Sequence, residues 1–302
     1  MVAAVLLGIS ACSKIKDAAR DMQPGRAFLD SQIPPGLPPQ YFPPQGFVWG
    51  AYRHGSLPEA RYGVASPPVN PKAQVLILAD ADYPAEAYFE TAQQLLDAGY
   101  GVWLLDVPGQ GGAGRYLLQN DMVYTHNWHD GEGTAATFVR DVIHPTPDKP
   151  LFVVGTGYSA VNALSLATDM KDRNVLGFVG FDPWLGGAIA NGGSWHRGDV
   201  PGTYWGRIAQ QWQMSNPDLR LRAKSDTWQT QMHKAYAQLT GLHLSAFASS
   251  APIIVMTPKP AEAAAKALCA HMPHCDVKDS QGPEMLGQEL SDIIKSRLSQ
   301  AG

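Results

Sequence analysis

The sequence has no apolar run near the about 20 residues an α-helix needs to cross a bilayer. The N-terminal run from Val2 to Leu7 stops at Gly8, so no transmembrane span is expected. Basic charge is not in excess either. Lys plus Arg number 23 against 27 Asp plus Glu, a net charge of −4, and no Lys/Arg stripe offers itself to a phosphate backbone, which excludes nucleic acid as a partner. Charged residues are only 17% of the chain and hydrophobic ones 45%, which excludes a disordered polyelectrolyte and predicts a soluble globule. The length of 302 residues fits one large domain, two small ones, or one open α/β sheet with a lid. Cysteine is scarce, and its 3 copies are Cys12, Cys269 and Cys275.

Ile9-Ser10-Ala11-Cys12 resembles the bacterial lipobox, in which an aliphatic residue and two small ones precede the cysteine that receives lipid. The usual Lys or Arg ahead of the apolar run is absent. The resemblance implies a signal peptide over residues 1–12, lipidation of Cys12, and a periplasm-facing place in the cell envelope with the membrane as partner through the lipid. No aspartate follows Cys12, which by resemblance to sorting signals points to the outer membrane. In that oxidising compartment Cys269 and Cys275 are expected to close a disulfide. The alternative is a zinc-type site, since Cys269-x-His271-x-x-His274-Cys275 offers two thiolates and two imidazoles. Its spacing is not the paired CxxC of structural zinc, and no metal or cofactor is expected. From residue 13 to 46 the chain carries Pro24, Pro34, Pro35, Pro38, Pro39, Pro43 and Pro44, which favour extended polyproline geometry. At about 3.1 Å per residue this predicts a tether holding the body some 30 Å or more from a membrane.

Beyond Pro71 strand and helix patterns alternate. Short apolar runs predict strands at Val75–Leu78, Val102–Leu105, Leu151–Val154 and Val175–Val179. Helical spacing covers Pro84–Ala98, Thr134–Ile143 and Ser159–Met170. Repeated β-α units with apolar strands imply a parallel sheet covered on both faces. Glu86-Ala87-Tyr88-Phe89-Glu90-Thr91, Gly99-Tyr100-Gly101-Val102 and Asp106-x-x-Gly109-x-Gly111 resemble, in order and spacing, the α/β-hydrolase family and its lysophospholipase and monoglyceride-lipase branch. The resemblance runs from about Arg61 to Arg297. It implies an α/β-hydrolase fold over 47–302, with a mostly parallel central sheet flanked by helices and a cap insert at about 184–250 between strands six and seven. Gly109 to Gly114 also satisfies GxGxxG, the form of a dinucleotide-binding turn. Pro108 precedes it and no clean amphipathic helix follows, so a loop is expected.

Active relatives place a serine in Gly-x-Ser-x-Gly after strand five. The matching segment here is Gly155-Thr156-Gly157-Tyr158-Ser159, which puts Gly157 at the nucleophile position. The segment after Ile253–Met256, where the family's acid belongs, is Thr257-Pro258-Lys259-Pro260. The residue before Glu284-Met285-Leu286, where the family's histidine belongs, is Pro283, which has no proton to give and no lone pair for base work. Ala79-Asp80 replaces the histidine-glycine beside the oxyanion hole. A displaced arrangement would use Ser159 as nucleophile and Asp182 as acid, with His126, His129 and His196 unassigned, but Ser159 is expected inside the first helical turn.

The insert carries Trp184, Trp195, Trp205, Trp212 and Trp228, which either cover an acyl cleft or form the insert's own core. Candidate ligand-binding residues are Asp80, Tyr158, Trp184, Trp195 and Trp205. Arg220, Arg222 and Lys224 either meet a lipid phosphate or form a solvated face. These features predict an envelope lipoprotein with a degenerate hydrolase fold, binding a lipid-like ligand or a protein partner. The alternative is a carboxylester or lysophospholipid hydrolase using Ser159.

Overall fold

The computed structural model describes residues 25–117, 121–171, 173–198 and 202–301. The expected signal peptide, Cys12 and the first part of the expected tether lie outside the described residues.

Eight strands form one sheet: β1 (Val48–Tyr52), β2 (Ala60–Ala65), β3 (Gln74–Leu78), β4 (Gly101–Asp106), β5 (Leu151–Thr156), β6 (Val175–Phe181), β7 (Ile253–Thr257) and β8 (Cys275–Asp279). Their order is β1-β2-β4-β3-β5-β6-β7-β8. β2 runs antiparallel to both β1 and β4, and the other neighbours are parallel. The central strands are apolar because helices cover both faces, and β3 and β5 are buried along their whole length. The edge strands β1 and β8 are largely exposed and carry polar or mixed residues, so no apolar run announced them.

Helices α1 (Phe89–Asp97) and α7 (Leu286–Ala301) pack on one face. Helices α2 (His129–Phe138), α3 (Ala160–Asp169) and α6 (Glu262–Cys269) cover the other. α2 continues as a π turn to Ile143 and stops at His144, whose φ is 49°. The insert between β6 and β7 contributes α4 (Tyr204–Ser215) and α5 (Asp226–Gly241). Thr203 caps the first, accepting from the Gly206 N–H at 3.2 Å, and Ser225 caps the second, accepting from the Trp228 N–H at 3.1 Å. Trp212 and Trp228 are buried and tie these helices to the body.

Cys269 and Cys275 are joined in a disulfide with Cα atoms 5.2 Å apart. The thiolates of the alternative zinc-type site are therefore consumed by the bond.

The expected tether is corrected over its described part. Residues 25–46 lie along the body instead of standing away from it. The Phe28 N–H donates to Gly112 O at 2.8 Å, and Gln32 exchanges two bonds with the Asn216 side chain, at 2.7 and 2.9 Å. Leu37 is buried, and Phe42 packs against the core beside α1. The expected extended polyproline backbone is corrected as well. Pro39 opens a short 3-10 turn over Pro39–Tyr41, and turns close where the Leu37 N–H donates to Pro34 O at 3.2 Å and the Phe47 N–H to Pro44 O at 3.0 Å. The prolines thus set turns, and the apolar residues between them gain more by covering the sheet layer than by facing water.

Two of the three motifs that carried the family resemblance, those containing Glu86 and Asp106, meet around one buried cation. Arg61, fully buried on β2, bonds both oxygens of Glu86, at 2.5 and 3.0 Å, and reaches Asp106 Oδ2 at 3.4 Å. Its guanidinium lies 3.4 Å from the centroid of the Trp49 ring. Asp106 also accepts from the N–H groups of Ala85, at 3.1 Å, and Gly112, at 2.9 Å. A Cβ on Gly111 would stand 2.1 Å from Asp106 Oδ1, and one on Gly112 would stand 2.4 Å from Arg61 Nη1. The glycines let the loop close over a salt bridge, and no helix opens among them. Burial and the neighbouring Glu86 push Asp106 up to about 6 despite the guanidinium.

Replacing Arg61 by Ala leaves two buried carboxylates facing each other without a cation. The expected loss is about 3–5 kcal/mol of unfolding free energy in guanidinium titrations at pH 7, with part recovered at pH 5, where Asp106 takes a proton.

Candidate functional site

β3, β5, β6, β7 and β8 end at the same edge of the sheet, the place where open α/β sheets take ligands. The residues that follow them meet in one cleft of about 560 Å³: Asp80 after β3, Gly157 after β5, Asp182 after β6, Pro258 after β7, and Ser280 to Glu284 after β8. The cap closes the other side with the start of α4, including Tyr204, Trp205 and Arg207, and Tyr83 and Phe181 complete the wall. The places where the family resemblance seeks nucleophile, acid and histidine therefore converge: Gly157, Pro258 from the 257–260 segment, and Pro283 all line the cleft.

Gly157 sits at the sharp turn between β5 and α3 with φ 52°. Its missing side chain is not an empty space. A Cβ there would lie 2.0 Å from Asp80 Oδ2 and 2.4 Å from Asp80 Cγ, so the Asp80 carboxyl fills the volume where a side chain at 157 would begin. Asp80 Oδ1 accepts from the Tyr158 N–H at 3.1 Å, the amide after the nucleophile position, which in Gly-x-Ser-x-Gly hydrolases meets the oxyanion. The Asp80 N–H donates to the Tyr88 hydroxyl at 3.1 Å. Tyr88 in turn meets Thr156 Oγ1 at 2.7 Å, and Thr156 donates to Leu78 O at 3.2 Å. This buried chain fixes the Asp80 backbone, and with it the carboxyl. Burial, reinforced by the negative charge of Asp82, pushes Asp80 up to about 8, so at neutral pH it is largely a neutral acid.

Asp82 is held by Lys224 Nζ at 2.6 Å. Lys224 also donates to Gly192 O at 2.6 Å, and its side chain is buried. The expected solvated or phosphate-facing role of Lys224 is thereby corrected. It fastens the cap to the loop after β3, where an unpaired ammonium would be costly.

Ser159 is 1% exposed, its hydroxyl donates to Gln110 Oε1 at 3.4 Å, and it does not line the cleft. Because α3 begins at once, the Ser159 hydroxyl faces the protein interior, and the structure does not bring Ser159 together with Asp182 in the cleft. Asp182 does line the cleft; its side chain is exposed, its φ is 41°, and its N–H donates to Met256 O at 2.7 Å. No histidine is among the described residues lining the cleft. His126 bonds Tyr124, His129 pairs with Glu132, and the His196 N–H bonds Gln210.

Of the expected ligand-binding residues, Asp80 and Trp205 line the cleft. Trp205 packs on Tyr88, with centroids 4.7 Å apart, and on Phe181 at 5.5 Å. Tyr158 and Trp184 do not line it. Tyr158 packs against Trp184 and Trp228, and Trp184 against Tyr236, in the seam between cap and body. Trp195 lies in a separate concavity with Arg220 and Arg222. Tyr83, Thr203, Tyr204, Arg207, Gln281 and Glu284 are cleft residues that the sequence reading missed. Apart from Glu284, which belongs to the segment matched to the family's histidine position, no motif marks them, because they come from loop tips and the cap.

An eight-stranded, mostly parallel sheet with a cap after β6 and a strand-to-helix turn at 157 defines an α/β-hydrolase fold. The chain belongs to the family described as Serine aminopeptidase, S33, whose pattern matches residues 69–241. Among solved structures it is similar to a soluble variant of monoglyceride lipase from Saccharomyces cerevisiae, with TM-score 0.63, 12% identity and coverage of 84% of this chain and 96% of that one. A thermostable carboxyl esterase from Bacillus coagulans gives TM-score 0.59 at 11% identity, covering 83% and 99%. The monoacylglycerol lipase of Paleococcus ferrophilus gives 0.51 at 14%, covering 81% and 100%. No curated protein sequence matched.

Two predictions follow from Asp80. Its folded-state pKa lies above the about 3.9 of an unfolded aspartate, so between about pH 4 and 8 the native state holds a proton that the unfolded chain has released. Its contribution to stability therefore falls as pH rises through that window. Asp80→Asn cannot ionise, and its advantage over wild type should grow from pH 5 to pH 8 and then level off in thermal melts. Gly157→Ser should destabilise, by about 1–3 kcal/mol from positive-φ strain and overpacking. Adding Asp80→Gly should return part of that loss, read as a positive coupling in a double-mutant cycle.

Proposed function

We propose that this chain is a non-hydrolytic member of its family, an envelope lipoprotein anchored through Cys12, whose cleft binds a small amphipathic, lipid-like ligand. The observation that carries the reading is the Asp80 carboxyl standing where a side chain at 157 would begin and taking the Tyr158 N–H at 3.1 Å. A site built this way has neither an attacking hydroxyl at the turn nor a free amide for an oxyanion. The absence of a histidine among the described residues lining the cleft supports the same reading. Binding is supported because the cleft is open and mixes Tyr83, Phe181, Tyr204 and Trp205 with the polar Asp182, Arg207 and Glu284. Aromatic walls with a few polar groups suit a ligand with an apolar body and a polar head. The lipid anchor rests on the Ile9 to Cys12 sequence alone.

The full chain is expected to show no labelling by a fluorophosphonate serine probe and no turnover of medium-chain esters. It should nevertheless bind a medium-chain lysophospholipid with quenching of tryptophan fluorescence that Trp205→Phe diminishes. Labelling and turnover that vanish in Ser159→Ala would overturn the non-hydrolytic reading. Lysophospholipid binding unaffected by Trp205→Phe and by Phe181→Ala would overturn the assignment of the cleft.

A further inference from the structure

The cap carries a second concavity, of about 610 Å³, whose lining includes Trp195, Arg197, Gln210, Met214, Arg220 and Arg222, with no acidic side chain among the described residues that line it. Three guanidinium groups around one hollow are notable in a chain whose net charge is −4. Arg220 is fixed in place. Its Nε donates to Gln213 O at 3.0 Å, its Nη2 donates to Met214 O at 3.3 Å, and its guanidinium lies 4.4 Å from the Trp195 ring centroid. The carbonyls at the end of α4 are a favourable place for a cation, so the group is held before any ligand arrives. Arg222 is steadied by Asp121 Oδ2 at 3.3 Å from its Nε. Planar forks brought together in this way suit phosphate oxygens, which accept paired N–H bonds and relieve the mutual repulsion of the cations.

The surroundings of the hollow are apolar as well as basic. Met214, in its lining, is 59% exposed. The two bonds between Gln32 and Asn216 bring the N-terminal strap alongside, and Ile33 there is 45% exposed. Exposed apolar side chains beside arginines match a bilayer surface, where cations meet head-group phosphates and apolar side chains meet the acyl boundary.

We propose that this face of the cap seats the phosphate group of an anionic phospholipid at a bilayer surface. The site is separate from the cleft and does not depend on what the cleft binds. The proposal needs no lipid on Cys12, because the arginines make their own contact.

The test uses the full chain carrying Cys12→Ser, so that no acyl group contributes, in co-sedimentation with phosphatidylglycerol or phosphatidylcholine vesicles. Binding to phosphatidylglycerol vesicles is expected, with little to phosphatidylcholine, and should weaken at high salt. Arg197→Gln together with Arg222→Gln should weaken it by roughly twenty-five-fold, at about fivefold per arginine. The thermal melt should hardly move, because the Arg222–Asp121 pair is surface-exposed. Met214→Ser should weaken binding without changing its salt dependence, and Asp80→Asn in the cleft should leave it unchanged. Equal binding to both vesicles, no binding to phosphatidylglycerol, or full retention in the double variant would overturn the proposal. Inorganic phosphate that binds at the arginines while vesicles do not would also overturn it, in favour of a soluble phosphate ligand.

Discussion

One buried guanidinium organises the first half of the molecule. Arg61 draws together β2, the turn before α1, the end of β4 and the glycine loop that follows it, through Glu86 and Asp106. An isolated charge at that depth would cost several kcal/mol, so both carboxylates and the Trp49 ring are required at once, and so are the glycines that let the loop approach. The sequence motifs of the family resemblance are largely this assembly. They report a scaffold requirement, which is independent of the residue at 157, and the family pattern is present around a turn that carries glycine there.

At the far edge of the sheet a smaller carboxyl plays the opposite part. Asp80 is buried beside Asp82, and burial with like charge keeps it protonated near neutrality. It is compatible only with glycine at 157, because the two would claim the same volume. Glycine also meets the positive φ of the turn without strain. The two positions thus form a coupled pair, and exchanging either alone leaves a clash or an unfilled space. The cleft above them is lined by Tyr83, Phe181, Tyr204 and Trp205 together with polar side chains such as Asp182, Arg207 and Glu284.

The cap is attached by polar and aromatic contacts of different kinds. Lys224 reaches down to Asp82 on the loop after β3, while Tyr158, Trp184 and Trp228 form a seam next to it. Tyr83 and Thr203 bond at 3.1 Å across the cleft mouth. The loop that carries Asp80 is therefore also the loop that holds the cap, so ligand contact, cap position and the ionisation of Asp80 are physically linked. Arg220 on the outer surface is anchored by the same α4 whose first turn lines the cleft.

Much of this was legible in the sequence because it rests on local pattern. Short apolar runs such as Leu151 to Val154 make central strands wherever both faces are covered, and the Gly157 and Pro283 substitutions are visible without coordinates. The residues that share the cleft with them were not legible. Tyr204 and Arg207 reach it only because the cap folds back, and Trp195, of the same residue type as Trp205, ends in a different hollow. The prolines before Gly46 pointed to an extended tether, but several of them open turns, and contacts as distant as Gln32 with Asn216 lay the segment on the body. The sequence by itself determined the alternation of the central strands and their helices and the glycine at the turn, since both follow from residue type at one position or period. Only the tertiary structure decided that the Asp80 carboxyl occupies the space where a side chain at 157 would begin and that the arginines gather, because each depends on distant segments arriving at one point.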